Sequence, residues 1–123
     1  MPGNNTSWEQ GVLSRVVGEQ LSSVEFVQDY VQLRFDGPTL TCFTRPEVEL
    51  RERTFRWGEP GYRDELCARI ASKVVEVSVL SGDAIRIRFA DGAEVKVSLR
   101  DADYRCAEAA KFDVSRGGEW WVL

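Results

Sequence analysis

Residues 85–97 decide the fold, and they read Ile-Arg-Ile-Arg-Phe-Ala-Asp-Gly-Ala-Glu-Val-Lys-Val. Apolar and charged side chains alternate on both sides of Asp91 and Gly92, which is the pattern of two half-buried strands joined by a turn. One face of these strands therefore lies against a core and the other faces solvent. We predict a β-hairpin here, and the rest of the chain is interpreted outward from it.

The register of this hairpin follows from which residues share a face. Residues opposite one another on antiparallel strands point to the same side of the sheet, so Ile87 must oppose Val95 and not a charged neighbour. A two-residue turn fails this condition. A three-residue loop, 90–92, satisfies it, and its last residue is a glycine that can adopt the left-handed bulge conformation. The same register places Arg88 opposite Glu94.

The first half of the chain repeats the apolar pattern of the second half. When the two halves are aligned at a constant offset, Leu21 matches Val74. When one extra residue is allowed in a turn, Leu33 matches Ile87. Self-similarity of this kind indicates an internal duplication. The unit that matches the opening hairpin is therefore expected in both halves.

The corresponding hairpin of the first copy has its own predicted register. By the same rule of shared faces, a two-residue loop at 36–37 pairs Leu33 with Leu40 and Val31 with Cys42. All four of these side chains then lie on the core face.

The predicted fold class is mainly β, at the margin of α+β. Each copy supplies a short helix or turn and then three antiparallel strands, and two such pseudo-symmetric units pack as a small sandwich or a partly open barrel. A chain of 123 residues is expected to form a single domain, 1–123. The predicted strands are 24–28, 30–36, 39–44, 74–80, 84–90 and 93–99. The predicted divisions are copies at about 11–44 and 64–99, a crossover at 45–63 and a C-terminal tail at 100–123.

Charge and composition exclude several classes of function. A formal net charge of −4 argues against nonspecific binding of nucleic acid or of an anionic membrane, which needs a net basic face. The chain has no targeting segment and no apolar stretch long enough to cross a membrane, so we expect a cytoplasmic protein. Its three cysteines are odd in number and widely spaced, which favours reduced thiols over a disulfide framework.

The absence of histidine also limits the chemistry. Catalytic triads with a histidine base and histidine-containing zinc sites are excluded. Asp29 and Asp83 occupy matching turns, but turn aspartates usually bond the backbone. Neither a metal site nor a cofactor site is predicted, and a non-enzymatic role is favoured.

The central segment holds the first candidate binding surface. Arginine, tryptophan and tyrosine dominate binding hot spots because they bury large area while losing little conformational freedom. The alternative is a solvated crossover in which nearby glutamates neutralise the arginines. A helix is predicted from Tyr62 to about Ala71. The candidate residues of this segment are Arg51, Arg53, Arg56, Trp57, Tyr62 and Arg63.

Two further regions are candidate binding surfaces or structural elements. Arg86, Arg88 and Lys96 lie on the predicted outer face of the sheet, where they could receive an acidic partner or form ordinary solvated surface. The tail contains a helix-compatible stretch at 107–111. It closes with an aromatic segment at 120–123, which is expected to be a docked edge strand or core lid.

Several segments together resemble a family of small uncharacterised bacterial proteins. The resemblance covers most of the chain from about Gly11, and it implies no catalytic residues; Ala71 stands where the family is expected to have glycine. Duplicated β domains of this kind also resemble immunity proteins, which bind and neutralise bacterial toxins. The segments that carry the family resemblance are Tyr62–Cys67, Val74–Val77, Arg88–Gly92, Val97–Arg100, Glu108–Phe112 and Trp120–Val122.

The leading functional hypothesis is a non-catalytic module that binds a protein partner through the segment 45–63 and the adjoining sheet. Its rival is a small-molecule-binding domain with a pocket between the two repeats, and an enzyme comes third. Exposed strand edges would allow a two-fold homodimer. The residues predicted to line the rival pocket are Trp57, Tyr62, Tyr104, Trp120 and Trp121.

Overall fold

The structure, a computed structural model, describes residues 8–114 and 118–123. Two short helices, α1 (Trp8–Leu13) and α2 (Tyr62–Cys67), and two single 3-10 turns, Ser14–Val16 and Asp101–Asp103, accompany the strands. The strands of the first half are β1 (Leu21–Val27), β2 (Tyr30–Phe35), β3 (Thr39–Cys42), β4 (Glu47–Leu50) and β5 (Arg53–Phe55). Those of the second half are β6 (Val74–Leu80), β7 (Ala84–Phe89), β8 (Glu94–Ser98), β9 (Ala110–Asp113) and β10 (Trp120–Val122).

The strands form two antiparallel five-stranded sheets that pack as a sandwich. The first sheet has the order β1-β2-β3-β9-β10, and the second has the order β5-β4-β8-β7-β6. The mainly β class, the antiparallel pairing and the sandwich packing are thus confirmed. Each sheet has two strands more than the three predicted, because each half sends its last hairpin to the sheet of the other half. None of the described helices has the length and apolarity needed to span a bilayer.

Both predicted hairpin registers are confirmed. Ile87 lies opposite Val95, and the Phe89 N–H donates to the Ala93 carbonyl at 2.9 Å around the three-residue loop. Gly92 has a φ of +93°, as the left-handed bulge position requires. In the first copy, the pairs Leu33–Leu40 and Val31–Cys42 also form as predicted.

The segment 45–63 differs from the predicted irregular crossover because it contains the β4–β5 hairpin. Val48 is fully buried between charged neighbours and pairs with Val95 of β8. The turn residues Arg51 and Glu52 both have positive φ, at 53° and 66°. A turn of this type normally carries asparagine and glycine, and because neither residue is present the turn was not predicted.

The C-terminal hairpin corrects a second prediction. The helix-compatible stretch at 107–111 is not helical, since Ala110 and Phe112 face the core from β9, opposite Cys42 and Leu40 of β3. The terminal tryptophans form the edge strand β10, which confirms the docked edge strand that the aromatic terminus predicted.

The two halves meet at a seam where equivalent residues make equivalent hydrogen bonds. The Ala71 N–H donates to the Leu21 carbonyl at 2.7 Å, and the Gly18 N–H donates to the Val74 carbonyl at 2.8 Å. These pairs follow the offset that relates the two halves of the sequence. Helix α2 ends at Cys67, earlier than predicted, and the chain reverses at Ala71 with a φ of +75°.

Candidate functional site

The charged outer faces of the sheets are locally neutralised. Arg86 lies 2.9 Å from Glu94, and Arg88 lies 2.7 Å from Glu76 of the neighbouring strand. Arg88 is therefore opposite Glu94 in register but pairs with a different carboxylate. Arg34, on the matching strand of the other sheet, likewise pairs with a glutamate at 3.0 Å. Exposed pairs of this kind contribute little stability. They neutralise the predicted arginines of these faces, whereas Lys96 forms no ion pair with a described carboxylate.

The central segment has a different arrangement, centred on Trp57. Its side chain is 36% exposed. The Arg45 guanidinium carbon lies 3.6 Å from the ring centroid, and that of Arg63 lies 5.2 Å from it. Tyr62 packs edge-on against the indole, with the ring centroids 5.8 Å apart. Trp57 is thus an exposed aromatic side chain held by two arginines, which is a typical composition for a binding hot spot.

The loop that presents Trp57 is fixed at both ends. Phe55 is buried at the end of β5, and Tyr62 is buried at the start of α2, where its hydroxyl donates to the Pro46 carbonyl. Between them the Arg56 N–H donates to the Glu59 carboxylate at 2.8 Å. The indole is therefore pre-organised, which lowers the entropic cost of binding.

Arg45 and Arg105 lie beside this indole, and both are functional candidates that the sequence did not predict. Arg45 is the one in contact with the ring. Its side chain is half-buried, and its Nη2 donates to the Gln28 carbonyl at 3.5 Å. Its Nε and Nη1 are shielded from solvent and lack a hydrogen-bond partner among the described residues. Desolvation lowers the pKa of Arg45, and the nearby charge of Arg105 lowers it further. The repeat offered one signal, since Arg45 matches Arg100, which pairs with Asp83 at 2.9 Å.

Three arginines around Trp57 form no ion pair within the described ranges: Arg45, Arg63 and Arg105. Arg63 lies over the Phe26 ring, 5.5 Å from its centroid, as well as over Trp57. We call these four residues, the three arginines and Trp57, the arginine–tryptophan cluster. Arg56 stands apart from it, because it is paired with Glu47 at 3.4 Å.

Two open clefts flank Trp57. One, of about 390 Å³, lies toward Arg63 and the start of α2. The other, of about 240 Å³, lies toward Arg45 and Arg105, with Asp103 on its rim. Both are open to solvent, which suits a protein surface better than an enclosed small-molecule site.

The other predicted site residues lie elsewhere. Arg51 is in the β4–β5 turn, and Arg53 lies over the Phe55 ring at 4.4 Å. Tyr104 is half-buried against the core. Among the described residues, the lining of the two clefts includes neither Tyr104 nor the terminal tryptophans.

The terminal tryptophans belong to a separate surface. Trp121 stacks on Phe112, with the ring centroids 6.5 Å apart, and Arg15 lies over it at 5.1 Å. Trp120 is 57% exposed beside Lys111. This surface is separate because the C-terminal hairpin crosses to the first sheet, whereas Trp57 follows β5, an edge strand of the second sheet.

Buried titratable groups serve the core. Burial raises the pKa of Tyr62, which is 1% exposed, so this residue anchors the loop and presents no accessible surface. Burial also raises the pKa of the Cys42 thiol. All three cysteines are free, and Cys106 is the exposed one. Within residues 8–114 and 118–123, no three side chains of the metal-binding types gather as a candidate metal site.

No family model, curated protein or solved structure matches the chain. The resemblance to small bacterial proteins therefore stays a prediction. The candidate site rests on the geometry of the arginine–tryptophan cluster.

Proposed function

We propose that the protein is a non-catalytic interaction module that binds an acidic surface of a partner protein through the arginine–tryptophan cluster. One observation carries this proposal: Trp57 is exposed between two arginines that form no ion pair with any described carboxylate. Arg34, Arg86 and Arg88 on the outer faces of the sheets do have such partners. The cluster thus keeps charge available in a chain whose net charge is negative.

The chemistry of the cluster favours carboxylates. A guanidinium offers a planar fork of N–H donors that binds a carboxylate through two parallel hydrogen bonds. Arg45 lies over the indole, with its guanidinium carbon 3.6 Å from the ring centroid, so positive charge is held at the cluster before a partner arrives. Arg63 and Arg105 are exposed and form no ion pair with a described carboxylate, so a partner carboxylate would reach their donors, and desolvation would strengthen the interaction.

The biological role that we propose to test first is immunity-like, in the cytoplasm, with a toxin as the partner. The exposed thiol of Cys106 and the two other free cysteines suit a reducing compartment. The small-molecule alternative has less support, because only Trp57 and Tyr62 of the described aromatic residues predicted for its pocket share a cleft.

The proposal is tested by co-expressing the protein with the product of the neighbouring gene and measuring the affinity of the purified complex. The double variant Trp57→Ala/Arg63→Ala removes an exposed aromatic and an unpaired cation. We expect it to weaken binding by about 2 kcal/mol or more, or at least about thirtyfold in Kd, with the melting temperature nearly unchanged.

The matched control is Arg34→Ala/Arg88→Ala, which also removes exposed arginines but from neutralised pairs. It should leave the affinity within about threefold of wild type. Equal losses in both double variants would show that only net charge matters and would refute a specific site. A complex that survives Trp57→Ala/Arg63→Ala intact would place the interface elsewhere.

A further inference from the structure

The edge of the second sheet is closed by a side chain. Strand β6 is the last strand of that sheet, and α1 lies along it. The Gln10 Nε2 donates to the Val77 carbonyl at 2.9 Å, and the Val79 N–H donates to the Gln10 Oε1 at 2.8 Å. One side-chain amide thus makes both hydrogen bonds that a neighbouring strand would make. This contact blocks β6 from pairing with another chain.

Strand β1 is the corresponding edge of the first sheet, and it has the same geometry. Val77 lies opposite Ile87, and in β1 Val24 lies opposite Leu33. Each strand also has a register shift before this pair. The shift comes directly after Leu21 in β1 and after Val74 in β6, the residues whose carbonyls accept the seam hydrogen bonds. Because backbone groups of alternate residues point to opposite sides of a strand, the Val24 C=O and Phe26 N–H point away from β2.

The β1 edge lacks the closing amide. The offset that places Leu21 on Val74 places Gln10 on Arg63. A guanidinium has no acceptor, so Arg63 cannot receive the Phe26 N–H as Gln10 receives that of Val79. Its guanidinium lies over the Phe26 and Trp57 rings instead.

The exposure of the two edges differs accordingly. Among the described groups, the Phe26 N–H and the Val24 C=O have no hydrogen-bond partner outside the ladder with β2. Both residues are half-buried, whereas Val77 and Val79 are 6% and 0% exposed. The first sheet therefore has an open edge directly beside the arginine–tryptophan cluster.

We infer that the partner binds by adding an extended acidic segment to the edge of β1. Its backbone would make with Val24 and Phe26 the two hydrogen bonds that the Gln10 amide makes with β6, and its carboxylates would meet Arg63 and Arg45. Arg45 already reaches the Gln28 carbonyl at the end of β1, so both arginines flank the same stretch. This inference rests on the proposed function, and it specifies how the partner is recognised.

The first test measures amide hydrogen exchange without a partner. The Phe26 amide should exchange faster than that of Val79 in the wild-type protein. Arg63→Gln places a side-chain amide at the position equivalent to Gln10, so it should slow exchange at Phe26 by about tenfold and leave Val79 unchanged. Arg63→Lys, the control, should leave Phe26 fast. Slow exchange at Phe26 in dilute wild-type protein would overturn the inference, because the edge would already be closed.

The second test adds a synthetic peptide of alternating glutamate and valine and follows the Phe26 amide and the Trp57 indole N–H by NMR. We expect slowed exchange at Phe26 and a shifted Trp57 signal, and neither effect with a peptide of alternating lysine and valine. A version N-methylated on alternate residues should lose the protection of Phe26, since it cannot pair with the strand.

The outcomes separate the inference from the proposed function. A shift at Trp57 without protection of Phe26 would support an acidic ligand at the cluster and refute strand addition. Silence at both positions would also refute strand addition, while co-purification would still decide the proposed function. Protection of Phe26 that grows with protein concentration alone would identify a second copy of this chain as the occupant and overturn the acidic partner.

Discussion

The backbone at Ala71 is in a conformation that favours glycine. Its φ is +75°, and Gly18, the equivalent residue of the first half, has a φ of +89°. Both residues donate the seam hydrogen bonds to the opposite half. A β-carbon in this left-handed region costs about 1–2 kcal/mol, and the rigidity of alanine in the unfolded chain offsets part of that cost. The expectation of glycine at this position therefore has a physical basis in the seam.

Ala71→Gly should stabilise the protein by up to about 1 kcal/mol, because it relieves the left-handed alanine. Gly18→Ala is the matched control and should destabilise it by a similar amount. Urea denaturation measures both changes as shifts of the midpoint at constant slope. A lower midpoint for Ala71→Gly would mean that the alanine methyl contributes packing that outweighs the strain.

Single residues also show how far the candidate site could be predicted. Trp57 and Arg63 were predicted from residue type, since exposed aromatic and guanidinium groups in one short segment favour a binding surface. Arg45 was missed because its role comes from a contact with Trp57 in the loop after β5, which no local pattern encodes. Tyr62 was predicted from the same residue types, and the structure buries it, with its hydroxyl donating to the Pro46 carbonyl.

At the scale of elements, alternation predicted the strands that are buried on one face and joined by glycine-containing turns. The hairpin registers followed from which residues share a face of the sheet, because a slip by one residue would turn every apolar side chain to solvent. The β4–β5 hairpin was missed because Val48 is the one fully buried residue of β4 and the turn contains no glycine. Strand β9 was missed because the alanines of 107–111, which overlap its start, suggest a helix.

The β4–β5 turn offers a test at this scale. Arg51→Asn/Glu52→Gly supplies the residues that a two-residue turn with two positive φ values prefers, so the free energy of unfolding should rise by about 1 kcal/mol. Thermal or urea unfolding measures it. Binding should be unaffected, because neither residue lies in the arginine–tryptophan cluster. Weaker binding in a more stable variant would place Arg51 in the interface.

At the scale of the whole molecule, the exchanged hairpins join the two sheets into one cooperative unit. The β4–β5 hairpin of the first half completes the second sheet, and the β9–β10 hairpin of the second half completes the first. Neither half can therefore bury its core without the other. We expect a single unfolding transition despite the two visible copies.

Val48→Ala tests this coupling. Loss of two buried methyl groups should destabilise the protein by about 2 kcal/mol. Amide exchange at Val31 in the first sheet and Ile87 in the second should then accelerate together, by about thirtyfold each. Acceleration at Ile87 alone would show that the sheets open independently.

The contrast between Gln10 and Arg63 has a consequence for how such an asymmetric molecule can arise. In a homodimer of two identical halves, every substitution occurs twice, so a glutamine that seals one sheet edge would seal both. Fusing the halves into one chain removes that constraint. One copy can then keep its edge sealed against aggregation while the other diverges to leave its edge free for recognition.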